Sequence, residues 1–139
     1  MSVTVTPYDH MARLFANGGV DIANLKVMLL SGYTLDTSHT SVSSISSSEV
    51  SGNGWPVGGP TIANAAVTTT ATNDAMLDGD DVSVTASGGD IGPADAAIVY
   101  DATNDNPLVH YAFGGTQTAV DGTPFQIAFN AAGIINWSA

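Results

Sequence analysis

The densest group of carboxylates in the chain is Asp78-Gly79-Asp80-Asp81. Carboxylate oxygens gathered on a turn are the ligands that calcium takes. An EF-hand loop would also need acidic residues at alternating positions and a closing glutamate, and neither is present. A solvated turn whose carboxylates accept backbone N–H groups has the same pattern and is the preferred reading. Asp78, Asp80 and Asp81 remain the calcium candidates. The three histidines, His10, His39 and His110, share no HxxxH or HxH spacing, and no cysteine is available to complete a zinc site. His110 lies within an apolar run, which is the setting of a packed, hydrogen-bonded histidine. No serine stands in G-x-S-x-G. Gly52-x-Gly54 lacks the lysine and following helix of a phosphate loop. No spacing singles out a general acid and base pair. The chain is therefore read as a non-enzyme, with no catalytic residue, metal or cofactor assigned.

The aromatic residues offer binding rather than catalysis. Trp55 sits in the Gly-rich stretch EVSGNGWPVGGP. An exposed indole there could stack on a sugar, which would make the chain a carbohydrate-binding adhesion module. A ring that pins a glycine-rich loop onto the core is the preferred alternative. Trp137 is expected to pack on the core or on a neighbour. Tyr8, Met11, Leu14 and Phe15 fall at helical spacing. With Trp55 and Trp137 they are the candidates for an interface.

Charge excludes several partners. There are 13 acidic residues and two basic ones, Arg13 and Lys26, for a net charge of −11. A surface that tracks phosphates needs many Lys and Arg side chains, so neither nucleic acid nor an anionic membrane is an expected partner. Only 11% of residues are charged. Ser, Thr, Asn and Gly must make up most of the surface. At 139 residues the chain fits one domain that buries roughly 68% of its unfolded surface, without help from disulfides. The start, MSVTVTPYDH, has no basic region leading into an apolar run, so no leader is expected there. No apolar run approaches membrane-spanning length.

The elements that position these residues are mostly strands. Ala96–Tyr100 and Leu108–Phe113 are apolar at consecutive positions and flank the turn-forming Asp101–Pro107. They read as a hairpin covered on both faces. Residues 1–6 alternate apolar and hydroxyl side chains and form an edge strand or an arm. A helix is expected over 7–17, with Thr6 as N-cap, Pro7 in the first position and Asn17-Gly18-Gly19 at its end. Leu25–Leu30 is the first strong strand. Residues 34–48 read as a Ser- and Thr-rich surface loop with at most one short strand or turn of helix, and 49–60 as turns or bulges. Further strands are expected at Thr61–Thr72, Ala75–Leu77, Val82–Ala86, Thr123–Asn130 and Gly133–Trp137, with a turn at Asn73-Asp74. The fold class is all-β, a single-domain antiparallel sandwich or barrel of roughly seven to nine short strands with one short N-terminal helix. Its β core is expected over 24–137.

Several stretches, taken in order, resemble a group of small tailed-bacteriophage virion structural proteins. They are Asn24-Leu25-Lys26-Val27-Met28-Leu29-Leu30, then Gly32-Tyr33-Thr34 with His39 following. Next come Glu49-Val50-Ser51-Gly52-Asn53-Gly54-Trp55 with Gly58-Gly59, Asp80-Asp81-Val82, Ala97-Ile98-Val99-Tyr100-Asp101 and Gly133-Ile134-Ile135. Members of the group often carry Tyr at the position of Trp55. The resemblance implies a component of the phage particle, with a capsid decoration or cement protein on the head shell as the first expectation and a tail- or fibre-associated protein as the second. The implied partners are other virion proteins, above all the major capsid protein, with the chain acting as a homo-oligomer, a trimer by preference. No catalytic residue follows from it. The arm at 1–6 and the helix at 7–17 are the expected contact elements.

Overall fold

The computed structural model describes residues 3–71, 74–130 and 133–137. In chain order these hold strand β1 (Thr4–Pro7), helix α1 (Met11–Ala16), β2 (Leu25–Leu30), β3 (Glu49–Val50), β4 (Ala66–Ala71), β5 (Asp74–Asp78), β6 (Val82–Thr85), β7 (Ile91–Asp101), β8 (Asn106–Ala119), β9 (Pro124–Ile127) and β10 (Ile135–Trp137). One five-stranded sheet runs β1-β8-β7-β2-β3. A three-stranded sheet, β10-β5-β4, and the ribbon β6-β9 form the rest. Among the described residues every strand pair is antiparallel. The chain is an all-β, sandwich-like fold with one short helix.

The consecutive apolar residues of β2 and β7 are explained by two cores. Leu25, Val27, Leu29, Ala97, Val99, Val109 and Tyr111 point into the main core, where they meet Trp55, Leu77 and Phe125. Met28, Leu30, Ala96, Ile98 and Tyr100 point the other way and are covered by Tyr8, Val42 and Ile45. The register agrees, with Met28 opposite Ile98 and Leu30 opposite Ala96. Side chains of a strand alternate between faces, so a strand covered twice must be apolar at every step.

The second cover comes from residues 34–48, where the sequence reading allowed a loop with at most one short strand or turn of helix. Two 3-10 turns, Val42–Ser44 and Ser46–Ser48, set Val42 and Ile45 down on the outer face of the sheet. Ser41 accepts the N–H of Ser43 and so caps the first turn. Val42 N–H donates to the carbonyl of Asp105 at 3.0 Å. Serine is used here for local turn bonds. The two isolated apolar residues are the anchors, each stabilising the cover by about 1.5–3 kcal/mol through burial.

Several boundaries differ from the sequence reading. The helix begins at Met11 and not at Pro7, and His10 occupies the N-cap without a side-chain cap. Thr6 and Pro7 instead extend β1, opposite His110 and Val109. The residue before a proline is driven to extended backbone, and Tyr8 N–H continues the ladder to Leu108 O at 2.9 Å. The strand expected over 61–72 begins only at Ala66, because Asn64 takes a positive φ of 57° and turns the chain; it is described to Ala71, and Thr72 lies outside the described residues. Of the turn expected at 73–74, Asn73 lies outside the described residues and Asp74 already belongs to β5. The β7–β8 hairpin is longer than its apolar runs. β8 passes through Gly114-Gly115 because Gly114, at φ 77°, absorbs a register shift between Ala94 opposite Gln117 and Ala96 opposite Ala112.

The hairpin loop is held by Asp101, whose side chain is fully buried. Its Oδ1 accepts the N–H groups of Thr103 and Asn104 at 3.0 and 3.3 Å. Its Oδ2 accepts Asp21 N–H at 3.0 Å and Asn104 Nδ2 at 2.7 Å. Asp101→Ala leaves these donors without an acceptor and is expected to cost about 2–3 kcal/mol. Urea unfolding should show a lower midpoint at an unchanged slope.

Candidate functional site

The acidic turn does not converge. Asp80 Oδ2 accepts Asn64 Nδ2 at 2.7 Å, Asp81 Oδ1 accepts Phe129 N–H at 2.9 Å, and Asp78 ends β5. The carboxylates of Asp80 and Asp81 thus tie separate segments to the turn. Among the described residues, no group of three or more His, Asp or Glu is arranged to hold a metal ion.

Trp55 is 1% exposed. Its ring meets Phe125 edge-on with centroids 5.6 Å apart, so its faces are not open to a sugar. Paired hydrogen bonds between Gly52 and Trp55, at 2.8 and 3.1 Å, close the loop around it. Tyr100 OH donates to Gly58 O, and Glu49 accepts Gly58 N–H, which fixes the rest of the loop to the sheet. Burial, with the charges of Glu49 and Asp105, pushes the Tyr100 phenol up to about 12.

The histidines serve three separate ends. His10 Nε2–H donates to Pro107 O at 2.7 Å and joins the start of α1 to β8. His39 Nδ1 is hydrogen-bonded to the Tyr33 hydroxyl at 2.8 Å. His110 is buried on β8 with the Tyr33 ring 5.8 Å away. Neither of its ring nitrogens has a hydrogen-bond partner among the described residues. Tyr33 is a hub that sequence spacing gave no means of finding. Its hydroxyl also lies 3.1 Å from Tyr8 OH and accepts Asp36 N–H at 3.3 Å.

The interface candidates divide in two. Tyr8, Met11 and Trp55 are buried within the chain and present no surface to a partner. Leu14, Phe15 and Trp137 pack on the main core and remain half-buried. Phe15 and Trp137 meet edge-on at 5.1 Å.

Around that pair lies a largely apolar surface. β1 is the outer strand of the five-stranded sheet. Val3 and Val5 are 44% and 51% exposed, on the same face of the sheet as Tyr111, which stands opposite Val5. A cleft of about 430 Å³ runs between Val3, Val5, Tyr111, Phe129 and Ile134. Another of about 290 Å³ adjoins it between Pro7, Met11, Ile135 and Trp137. Among the described residues, no charged side chain lines either cleft, although the chain carries 13 acidic residues. Edge strands are normally shielded by short length, proline, lysine, an inward charge or a bulge. β1 is short and ends in Pro7, but it has no charged residue and its pairing with β8 is unbroken. The alternation in SVTVT was the sequence signal for this rim.

The chain matches no family model, no curated protein and no solved structure with which it was compared.

Proposed function

We propose that this chain is a non-enzymatic structural component of a bacteriophage particle, acting as a decoration or cement protein on the head shell. The observation that carries an interface role is the uncharged β1 rim. An uncharged edge strand beside an apolar cleft suits main-chain pairing with an extended segment of another protein, with pockets for alternate side chains. The order of sequence motifs supports the phage assignment. A homo-oligomer, a trimer by preference, would place one rim per subunit against the major capsid protein. The net charge of −11 would assist docking on a basic shell patch.

The test compares reconstructions of the parent particle with the protein present and deleted. Density lost from the head at icosahedral copy numbers supports the proposal. Density lost only at the tail replaces it with a tail- or fibre-associated role. Val5→Lys checks the interface. With Val5 51% exposed, the substitution is expected to change stability by no more than about 1 kcal/mol. It should weaken binding to purified shells by at least about tenfold, the effect of placing a charge in an apolar contact. Unchanged binding would remove β1 from the interface.

A further inference from the structure

We propose that residues 33–48 form an acid-released cover over the outer face of the five-stranded sheet, with His110 as the trigger. The inference rests on the fold and is independent of the phage assignment.

Backbone bonds tie the cover at Thr37 O, which accepts Asp9 N–H at 2.9 Å, at Val42 N–H, which donates to Asp105 O at 3.0 Å, and at Ser48 O, which accepts Ser31 N–H at 2.9 Å. Val42 and Ile45 are buried beneath it. Tyr33, at its start, lies over His110 and binds Tyr8 and His39 through its hydroxyl. The connection into it is Gly32, at φ 75°, whose N–H donates to Asp95 Oδ2 at 3.3 Å. Beneath the cover are Met28, Leu30 and Ile98.

His110 is 5% exposed, and both ring nitrogens lack partners among the described residues. A neutral imidazole tolerates that setting better than an imidazolium, which has two N–H donors and a charge to solvate. The titratable groups around it come from each neighbouring element. Asp95 on β7 acts on it through its charge, and its buried Oδ1 is also without a partner. The cover contributes Tyr33 directly, with His39 and Asp36 behind it. The β1–α1 connection contributes Tyr8 through Tyr33. Across the β1–β8 ladder stands Thr6, which does not titrate.

The closed cover leaves an imidazolium at this position unsolvated, so a proton on His110 favours lifting the cover at its first residues and admitting water. His39 is not the trigger, because it is only partly covered and Asp36 lies 3.9 Å from its Nε2.

The direction of the effect follows from linkage. Burial lowers the His110 pKa in the closed state, and the charge of Asp95 opposes this less strongly. In the open state it titrates near the ordinary value of about 6.5. The open state then binds more protons, so the cover is fully stabilised above about pH 6.5 and weakens below it, by up to about tenfold per pH unit for one proton.

Hydrogen exchange on the full chain between pH 7.5 and 5.0, corrected for intrinsic rates, tests this. Opening of 33–48 should rise by up to about tenfold per unit below pH 6.5 while β2 and β7 stay protected. His110→Phe should remove the slope, and His39→Gln should keep it. Opening of 33–48 that does not change with pH, or that keeps its slope in His110→Phe, overturns the proposal. Should His110→Phe fail to fold, NMR titration of the His110 ring in the unaltered chain decides. An imidazole that protonates near the ordinary value while 33–48 stays protected also overturns it.

Discussion

Gly59→Ala is expected to lower stability by more than about 4 kcal/mol, enough to leave much of the chain unfolded given a usual total of 5–15 kcal/mol. A Cβ on Gly59 would stand 1.6 Å from Val27 O and 2.5 Å from Val27 C. The neighbour is the backbone of β2, which cannot rotate away. Gly59 also has a φ of 85°, which costs a side chain about 1–2 kcal/mol by itself. The loop lies against β2 as an irregular extra strand, with Val27 N–H on Pro60 O at 3.1 Å and Ile62 N–H on Leu25 O at 2.8 Å. Making room would break those bonds and disturb packing at the centre of the main core, adding about 1–3 kcal/mol or more. Gly52→Ala is the control. Gly52 has a φ of 105°, but nothing lies within 4 Å of its Cβ position, so only about 1–2 kcal/mol of backbone strain is expected. Urea unfolding of both variants separates the two costs. Equal midpoints would show that the loop does not approach β2 this closely.

Trp55→Ala should cost about 3–5 kcal/mol, the range for removing a buried large aromatic. Its ring is 1% exposed and packs edge-on against Phe125, which in turn lies 6.4 Å from Phe113. Truncation opens a cavity at the junction of the Gly-rich loop, β8 and β9. At roughly 3–5 °C per kcal/mol for a chain of this size, the melting temperature should fall by about 10 °C or more. Trp55→Phe keeps most of the volume and should lose less than half as much. A sugar-stacking tryptophan would behave in the opposite way: Trp55→Ala would melt normally and lose glycan binding.

The sequence made the class of fold readable wherever local pattern and final environment agreed. Ala96–Tyr100 is apolar at each step, and Leu108–Phe113 and Leu25–Leu30 at every step but His110 and Lys26, because both faces of their sheet are buried. The preference for Trp55 as a loop anchor likewise followed from one aromatic among many glycines. The misjudged stretches are those where a distant partner decides. Thr6-Pro7 has good helix-start chemistry, yet β8 claims it for a ladder about a hundred residues away in sequence. Residues 34–48 lack the hydrophobic periodicity of an element, and only the outer face of the sheet gives Val42 and Ile45 a reason to be buried. The rim was partly legible, as an alternating edge strand. The Tyr33–His110 arrangement was not, since its members come from segments with no shared spacing.

The order of the five-stranded sheet also sets a timetable for synthesis. Leu25 pairs with Asp101, and Thr4 with Ala112. At about 5–20 residues per second, β2 would leave the ribosome several seconds before the strand that flanks it. During that interval its run of Leu, Val and Met has no native neighbour on the β7 side. The sheet closes only when β7 and β8 arrive, so β2 is the segment most in need of chaperone protection during translation.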